Sequence, residues 1–336
     1  MNATSRSAVI AAASLAFTAA ASASELRFSH MMPPDHYFDQ DAKAWAEALR
    51  EASGGEISVT IFPASQLGGA ADQFDMARDG IADIAWVNWG YTPGAFPVLE
   101  LLDLPFAIET DRATAARAVH NWYQPYSEAE MPDVKLCLAH VGPSGTFHSS
   151  VPITVPQDVS GLQVRPSGGA MAQYIADLGG SAVQVPAPEV RGAIERGVAN
   201  AITFPWGSLK VFGISEAVQY HLDRDIYYVG AGLVMNKAKY DGLSDAAKAA
   251  VDTVCSAEWA ERLGRTWVEF EAGGRAIVEA EGDHSVHELT EDEMEAWRVS
   301  TEPAYGRWAA LVQSRGLDPE AIRTGLAEAI EAESNE

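Results

Sequence analysis

The order of elements between Leu26 and Trp89 recurs between Leu162 and Trp206, and no other feature restricts the fold as strongly. Leu26 and Phe28 mark a first strand, Ile57, Val59 and Ile61 a second, and the run IADIAWVNWG a third. Phe38, Ala42, Trp45 and Leu49 recur at helical spacing after the first strand, in a helix begun near Asp35 and broken by Gly54 and Gly55. A second helix runs from about Ala70 to Asp79 and stops at Gly80. From Leu162 the same signals give strand 162–165, helix 168–178, strand 182–185, helix 188–196 and strand 201–204. Gly80 to Gly90 also aligns without gaps to Gly197 to Gly207, with Trp89 over Trp206. A twofold β-α-β-α-β order belongs to sheets with helices on their faces. The expected fold is therefore α/β, two similar lobes with a cleft between them, presenting Trp89 and Trp206 from equivalent positions.

Two apolar stretches join the halves. A strand at 134–140 runs into a loop with Gly142, Pro143 and Gly145, and the run from Ile226 to Met235 returns. The implied division is 24–142 plus about 231–270 for one lobe and 143–230 plus about 271–336 for the other. From Ser244 to about Glu281 the pattern is helical without proline; as one helix of ~30 residues it would be ~45 Å long and reach across both lobes. Helices near 111–122, 291–314 and from Pro319 to about Glu331 complete the expectation.

Residues 1–23 read as a secretory signal: Arg6, an apolar run from Ala8 to Ala21, and Ala21-Ser22-Ala23 as the cleavage site. No later stretch is long enough to span a bilayer, which points to an exported, periplasmic protein without direct membrane insertion. The net charge of −24 argues against nucleic acid or an anionic membrane surface as partner. An anionic ligand must then be held by local positive groups against the general field. Cys137 and Cys255 either pair, as an exported protein permits, or stay as buried thiols. No spacing points to a metal or a cofactor: His30 with His36, and His284 with His287, lack the HExxH arrangement. Gly142-Pro143-Ser144-Gly145-Thr146 is not a nucleophile elbow, and no catalytic acid/base pair stands out.

Arg165 is the principal candidate. Leu162 and Val164 alternate as a strand, which Pro166 ends, and Gly168-Gly169 open a helix. Arg165 thus stands at the carboxyl end of a strand beside a helix N-terminus, where open α/β sheets bind ligands. A guanidinium there suits a carboxylate, though the local pattern equally allows a solvated surface arginine.

Four stretches resemble the solute-binding proteins of tripartite ATP-independent periplasmic (TRAP) transporters, the DctP-type family: RFSHMMPPDHYFDQDAKAWAEAL, QLGGAADQFDMARDGIADIAWV, VLELLDLPF, and DVSGLQVRPSG with APEVRGAIERGVANA. The resemblance covers essentially the whole chain after residue 23. It implies two α/β lobes with a long helix spanning both, hinge closure on a ligand, and delivery to a small and a large membrane subunit. It also implies that Arg165 binds the ligand's carboxylate. Sialic-acid members commonly carry a second arginine where this chain has Gly145, and an asparagine where it has Phe204. The departure favours a small monocarboxylate with an apolar or aromatic body, in a pocket drawing on Phe204, Trp206, Trp86, Trp89 and Phe147. Asn88 is a candidate hydrogen-bonding group, and His36 and Tyr37 lie near the first strand end. Core packing is the competing role for the tryptophans, and turn capping for Asn88. Service to an ABC transporter or a sensor kinase, or an enzyme on the same scaffold, are the alternatives.

Overall fold

The computed structural model describes residues 24–34, 36–108 and 114–334. The signal segment 1–23, and Asp35 and residues 111–113 as starting points of helices, lie outside the described residues. Strand β1 (Ser24–Ser29) leads to helix α1 (Tyr37–Ala52), whose buried stripe is Phe38, Ala42, Trp45, Ala46 and Leu49. His36 caps it, its Nδ1 accepting from Phe38 N at 3.1 Å. Then follow β2 (Ile57–Phe62), α2 (Gln73–Arg78), β3 (Ile84–Asn88), α3 (Thr114–Glu130) and β4 (Val134–Ser149). The second half begins with β5 (Gln163–Arg165), α4 (Gly169–Asp177), β6 (Ser181–Ala182), α5 (Val190–Glu195), β7 (Ala201–Phe204) and α6 (Trp206–Val211). Next come β8 (Tyr220–Asp223), β9 (Tyr227–Asn236), α7 (Lys237–Asp241), α8 (Asp245–Val254), α9 (Ala257–Ala272), α10 (Gly274–Glu279), β10 (Ser285–Glu288), α11 (Glu291–Val299), α12 (Glu302–Ser314) and α13 (Pro319–Ser334).

The sheet order is β2-β1-β3-β9-β4-β7-β5-β6, with β8 and β10 branching from β4. β1 pairs in parallel with β2 and β3; β5 pairs in parallel with β6 and β7. Each block therefore has its first strand in the centre, its second outside and its third facing the middle, the twofold order expected from the sequence. The antiparallel pair β4 and β9 joins the blocks.

β4 does not end at Gly142. It runs on to Ser149, and the Gly-Pro pair falls in a register shift between Val141 and Ser144, where a proline needs no ladder hydrogen bond. The helical stretch 244–281 is three helices rather than one. Cys255 leaves the helix at φ −92°, ψ 60°, and Ser256 is extended at φ −127°, ψ 161°. Cys255 is disulfide-bonded to Cys137 in β4, which decides between the two sequence alternatives. α9, with 16 residues, is ~24 Å long, yet it packs on α1 and α3 at one side and α6 at the other, touching both halves.

The C-terminal helices contact both halves. α12 straddles the halves: Trp308 Nε1 donates to Pro97 O at 2.8 Å, Tyr305 Oη to Pro105 O at 3.0 Å, and Arg307 pairs with Asp177 of α4. α13 packs on α3 beside the first block, where Trp122 Nε1 donates to Ile322 O at 3.2 Å. Its buried Ile322 and Leu326 join the apolar cluster that holds Leu99, Leu102, Trp122 and Tyr123.

Candidate ligand-binding site

Arg165 ends β5 with its neighbours β6 and β7 on either side, and only 2% of it is exposed. Its Nε donates to Val185 O at 2.9 Å, its Nη2 to Tyr91 Oη at 3.1 Å, and its Nη1 faces Thr203 O at 3.5 Å. The Phe204 ring centroid lies 5.4 Å from its Cζ, a cation–π contact. All these partners are neutral, and among the described residues no carboxylate pairs with it. A buried guanidinium without an anion is costly, and this arrangement stores a demand for one.

Around it lies a cavity of about 30 Å³, lined by Met31, Met32, Asn88, Tyr91, Ser167, Phe204, Phe212, Tyr227 and Trp267. Three of the expected site residues meet here: Arg165, Phe204 and Asn88. Asn88 Oδ1 accepts from Gly90 N at 3.0 Å, so the asparagine caps the turn Trp89–Tyr91 and lines the cavity at once. Tyr91, at the end of that turn, was not singled out by the sequence. Its hydroxyl accepts from Arg165 and from Ala187 N at 3.0 Å, joining the first half of the chain to the second. Ser167 N donates to Thr203 Oγ1 at 2.8 Å, and its own Oγ is buried beside the Tyr227 phenol. Tyr227 explains why no second arginine stands at position 145: a Cβ on Gly145 would lie 2.4 Å from its Cζ and its hydroxyl oxygen. Burial raises the pKa of that phenol, keeping it neutral.

The other candidates pack elsewhere. Trp86 is fully buried, its Nε1 meeting His140 Nε2 at 3.4 Å and its ring lying against Phe38 and Trp267. Trp89 and Trp206 do begin equivalent turns after β3 and β7, as the internal echo requires, but neither lines the cavity around Arg165. Trp89 enters the core against Phe96, and Trp206 packs on His148 and His221. Phe147 packs on Trp297. His36 meets Trp267 and Phe270, and Tyr37, 39% exposed, stacks on Phe270 at 4.5 Å. Trp89 and Trp206 start helical turns one and two residues after β3 and β7, so their directions follow the turn rather than the strand's alternation.

Two buried networks hold the cavity walls. Glu271 of α9 accepts from Gly207 N, Ser208 N, Ser208 Oγ and Trp267 Nε1, fixing the Trp267 ring and the first turn of α6. Burial pushes its carboxyl up to about 7 against those four donors. On the other side, Phe204 O can only accept, so His148 Nε2 donates to it at 3.0 Å. Neutral His148 then accepts at Nδ1 from His221 Nδ1 (2.7 Å), and His221 Nε2 accepts from His284 Nδ1 (2.8 Å). The backbone behind Phe204 thus fixes the tautomers of His148 and His221 and places a proton on His284 Nδ1. Burial holds His148 well below, and His221 at about 4, which keeps both rings neutral. Among the described residues no group of three or more His, Cys, Asp or Glu is placed to hold a metal.

The two halves meet over this cavity through glycines. A Cβ on Gly168 would lie 2.7 Å from Gly90 Cα, and one on Gly169 2.4 Å from Pro93 Cβ. Asp103 lies beneath the seam, accepting from Gly230 N at 3.2 Å, and full burial pushes its carboxyl up to about 8.

Residues 28–311 match the family model DctP, described as bacterial extracellular solute-binding protein, family 7. A TRAP solute-binding protein from Rhodoferax ferrireducens T118, solved with copurified benzoate, superposes with a TM-score of 0.86 at 27% identity, covering 93% of this chain and 99% of that one. A marine metagenome TRAP solute-binding protein from an unidentified microbe, specific for aromatic acids and solved with 3-hydroxybenzoate, gives 0.84 at 28% identity, covering 92% and 98%. The C4-dicarboxylate-binding periplasmic protein DctP of Rhodobacter capsulatus is 22% identical over 317 residues, 90% of this chain and 91% of its own. The match over most of the chain, with two-lobed TRAP proteins as structural neighbours, places this protein in the DctP family of TRAP-type bacterial extracellular solute-binding proteins.

Proposed function

We propose that this protein captures a small monocarboxylate with an apolar or aromatic body, its carboxylate paired with Arg165, and closes two lobes over it. The observation that carries this reading is the buried, anion-less guanidinium of Arg165 at the seam between the halves. Phe204, Phe212, Met31 and Met32 give the surrounding wall its apolar character, and Asn88 supplies an amide. The neighbours that bind benzoate and 3-hydroxybenzoate support an aromatic acid as the ligand class.

The lobes are 24–142 with about 231–270, and 143–230 with about 271–336, with α13 of the second packed against α3 of the first. Movement about β4 and β9 changes the angle between them, the hinge mode of closure. The chain is exported by the signal at 1–23 and acts in the periplasm, an oxidising compartment suited to the Cys137–Cys255 bond. No described helix is long and apolar enough to cross a membrane. Membership of the family supports delivery to the small and large membrane subunits of a TRAP transporter. Ligand leaves unchanged and no cofactor takes part.

A thermal-shift screen of carboxylates followed by calorimetry tests this reading. Arg165→Ala strands the carboxylate in the closed cleft and weakens binding by about 2–5 kcal/mol, roughly thirty-fold to several thousand-fold. Binding by Arg165→Ala within threefold of the parent overturns the assignment.

A further inference from the structure

Tyr91 is a wall between two cavities. On one side is the chamber of about 30 Å³ around Arg165; on the other is a pocket of about 120 Å³ lined by Gly90, Pro93, Pro166, Gly168, Val185 and Pro186. Tyr91 and Ser167 line both. The inner chamber has room for a water or two, enough for a carboxylate head and too little for a ring. The outer pocket is largely apolar and approaches the ~150 Å³ of a cavity known to take benzene. Its rim carries Ala71 from the first half and Gln184 from the second, both exposed.

We infer that the outer pocket is a second ligand subsite, taking the apolar tail of a carboxylate whose head sits on Arg165, with Tyr91 as the movable wall between them. This rests on the carboxylate reading of Arg165. The Tyr91 hydroxyl accepts the Nη2 hydrogen bond of Arg165, the same donor that a carboxylate takes. A charged oxygen is the stronger acceptor and displaces the phenol. Tyr91 is then held only by Ala187 N, and its ring turns aside to join the two spaces. Ser167 Oγ, buried at the junction beside the Tyr227 phenol, meets a polar substituent between head and tail. A tail lying there touches Gly90 and Pro93 of one half and Pro166, Gly168 and Pro186 of the other, so the tail itself favours the closed form.

The test uses two acids with the same head, propanoate and 3-phenylpropanoate, in calorimetry on the full protein. The parent binds 3-phenylpropanoate tighter by about tenfold or more, from the apolar area of one ring. Ala71→Trp or Gln184→Trp fills the rim from either side, removes most of that gain, and leaves propanoate within about twofold. Both positions are exposed, and melting curves check that the variants fold. Equal affinity of the two acids for the parent, or a gain that survives both tryptophans, overturns the subsite. Binding of other carboxylates but neither of these overturns it while leaving the proposed function intact; no binding of any carboxylate overturns both.

Discussion

Gly168→Ala isolates lobe closure from folding. Gly168 has φ −168° and ψ −170°, an extended conformation that alanine adopts freely, so the substitution carries no backbone strain. What it adds is one methyl at the seam. Its Cβ would lie 2.7 Å from Gly90 Cα, 3.0 Å from Gly90 O and 3.1 Å from Gly90 C, where ordinary contact begins at 3.4 Å. All three atoms are backbone, so no rotamer relieves the overlap, and the lobes must part by about 0.7 Å. Overpacking of this kind costs about 1–3 kcal/mol, and here only the closed form bears it. Ligand affinity should fall about five- to 150-fold. The melting temperature of the ligand-free protein should stay unchanged if that state is open. Gly306→Ala, with no atom within 4 Å of its added methyl, is the control and leaves affinity alone. Calorimetry measures the affinity, and small-angle scattering with saturating ligand follows compaction. A Gly168→Ala protein that binds within twofold of the parent, and compacts as fully, refutes the idea that this seam closes in function.

Reduction of the Cys137–Cys255 bond, or Cys255→Ser, frees a loop of 118 residues, for which loop-closure entropy amounts to about 5 kcal/mol. Urea unfolding with and without reductant reads the loss, and an unchanged midpoint contradicts it. Burial holds His30, His36, His120, His140 and His221 at about 4 against an ordinary 6.5. The unfolded chain takes up those protons first, so stability is lost as the pH falls from about 6.5 towards 4, read as melting temperature against pH. Asp103 acts in the opposite sense: its carboxyl is raised from 3.8 to about 8, so its contribution to stability declines as the pH rises from about 4 and is gone once the pH has passed about 8. Asp103→Asn, which keeps an acceptor for Gly230 N, should flatten the profile between pH 7 and 8; an unaltered slope there assigns the decline to other groups.

Arg165 was legible because every signal that places it is local: alternation in the strand, Pro166 to end it, and two glycines to open α4. Asn88 and Phe204 were legible for the same reason, each being the last residue of an innermost parallel strand. Trp89 and Trp206 sit one or two residues further on, in helical turns that leave them off the cavity around Arg165, while Tyr91, two residues after Trp89, lines it. Nothing in a single sequence reports that difference. The repeated β-α-β-α-β order survived intact, because parallel units carry their own punctuation. The elements that failed are those whose partners are far away in the chain. β4 continues through Gly142-Pro143 because β9, some ninety residues later, continues to pair with it. The stretch 244–281 breaks at a cysteine bonded to a strand 118 residues earlier. An amphipathic pattern reveals that α13 has an apolar face without saying which half will cover it.

The same contrast orders the site itself. The charge proposed to seize the ligand, Arg165, is specified within one short segment, so it is preformed on one half. The groups that complete its surroundings are Tyr91 and Asn88 from the other half, and Trp267 from α9, positioned by Glu271. A site divided in this way is whole only when the halves are together. On the proposed binding mode, each contact that a ligand makes with the Tyr91 side counts towards closure, because it is available in no other state, and the ligand's binding energy becomes the bias on the hinge.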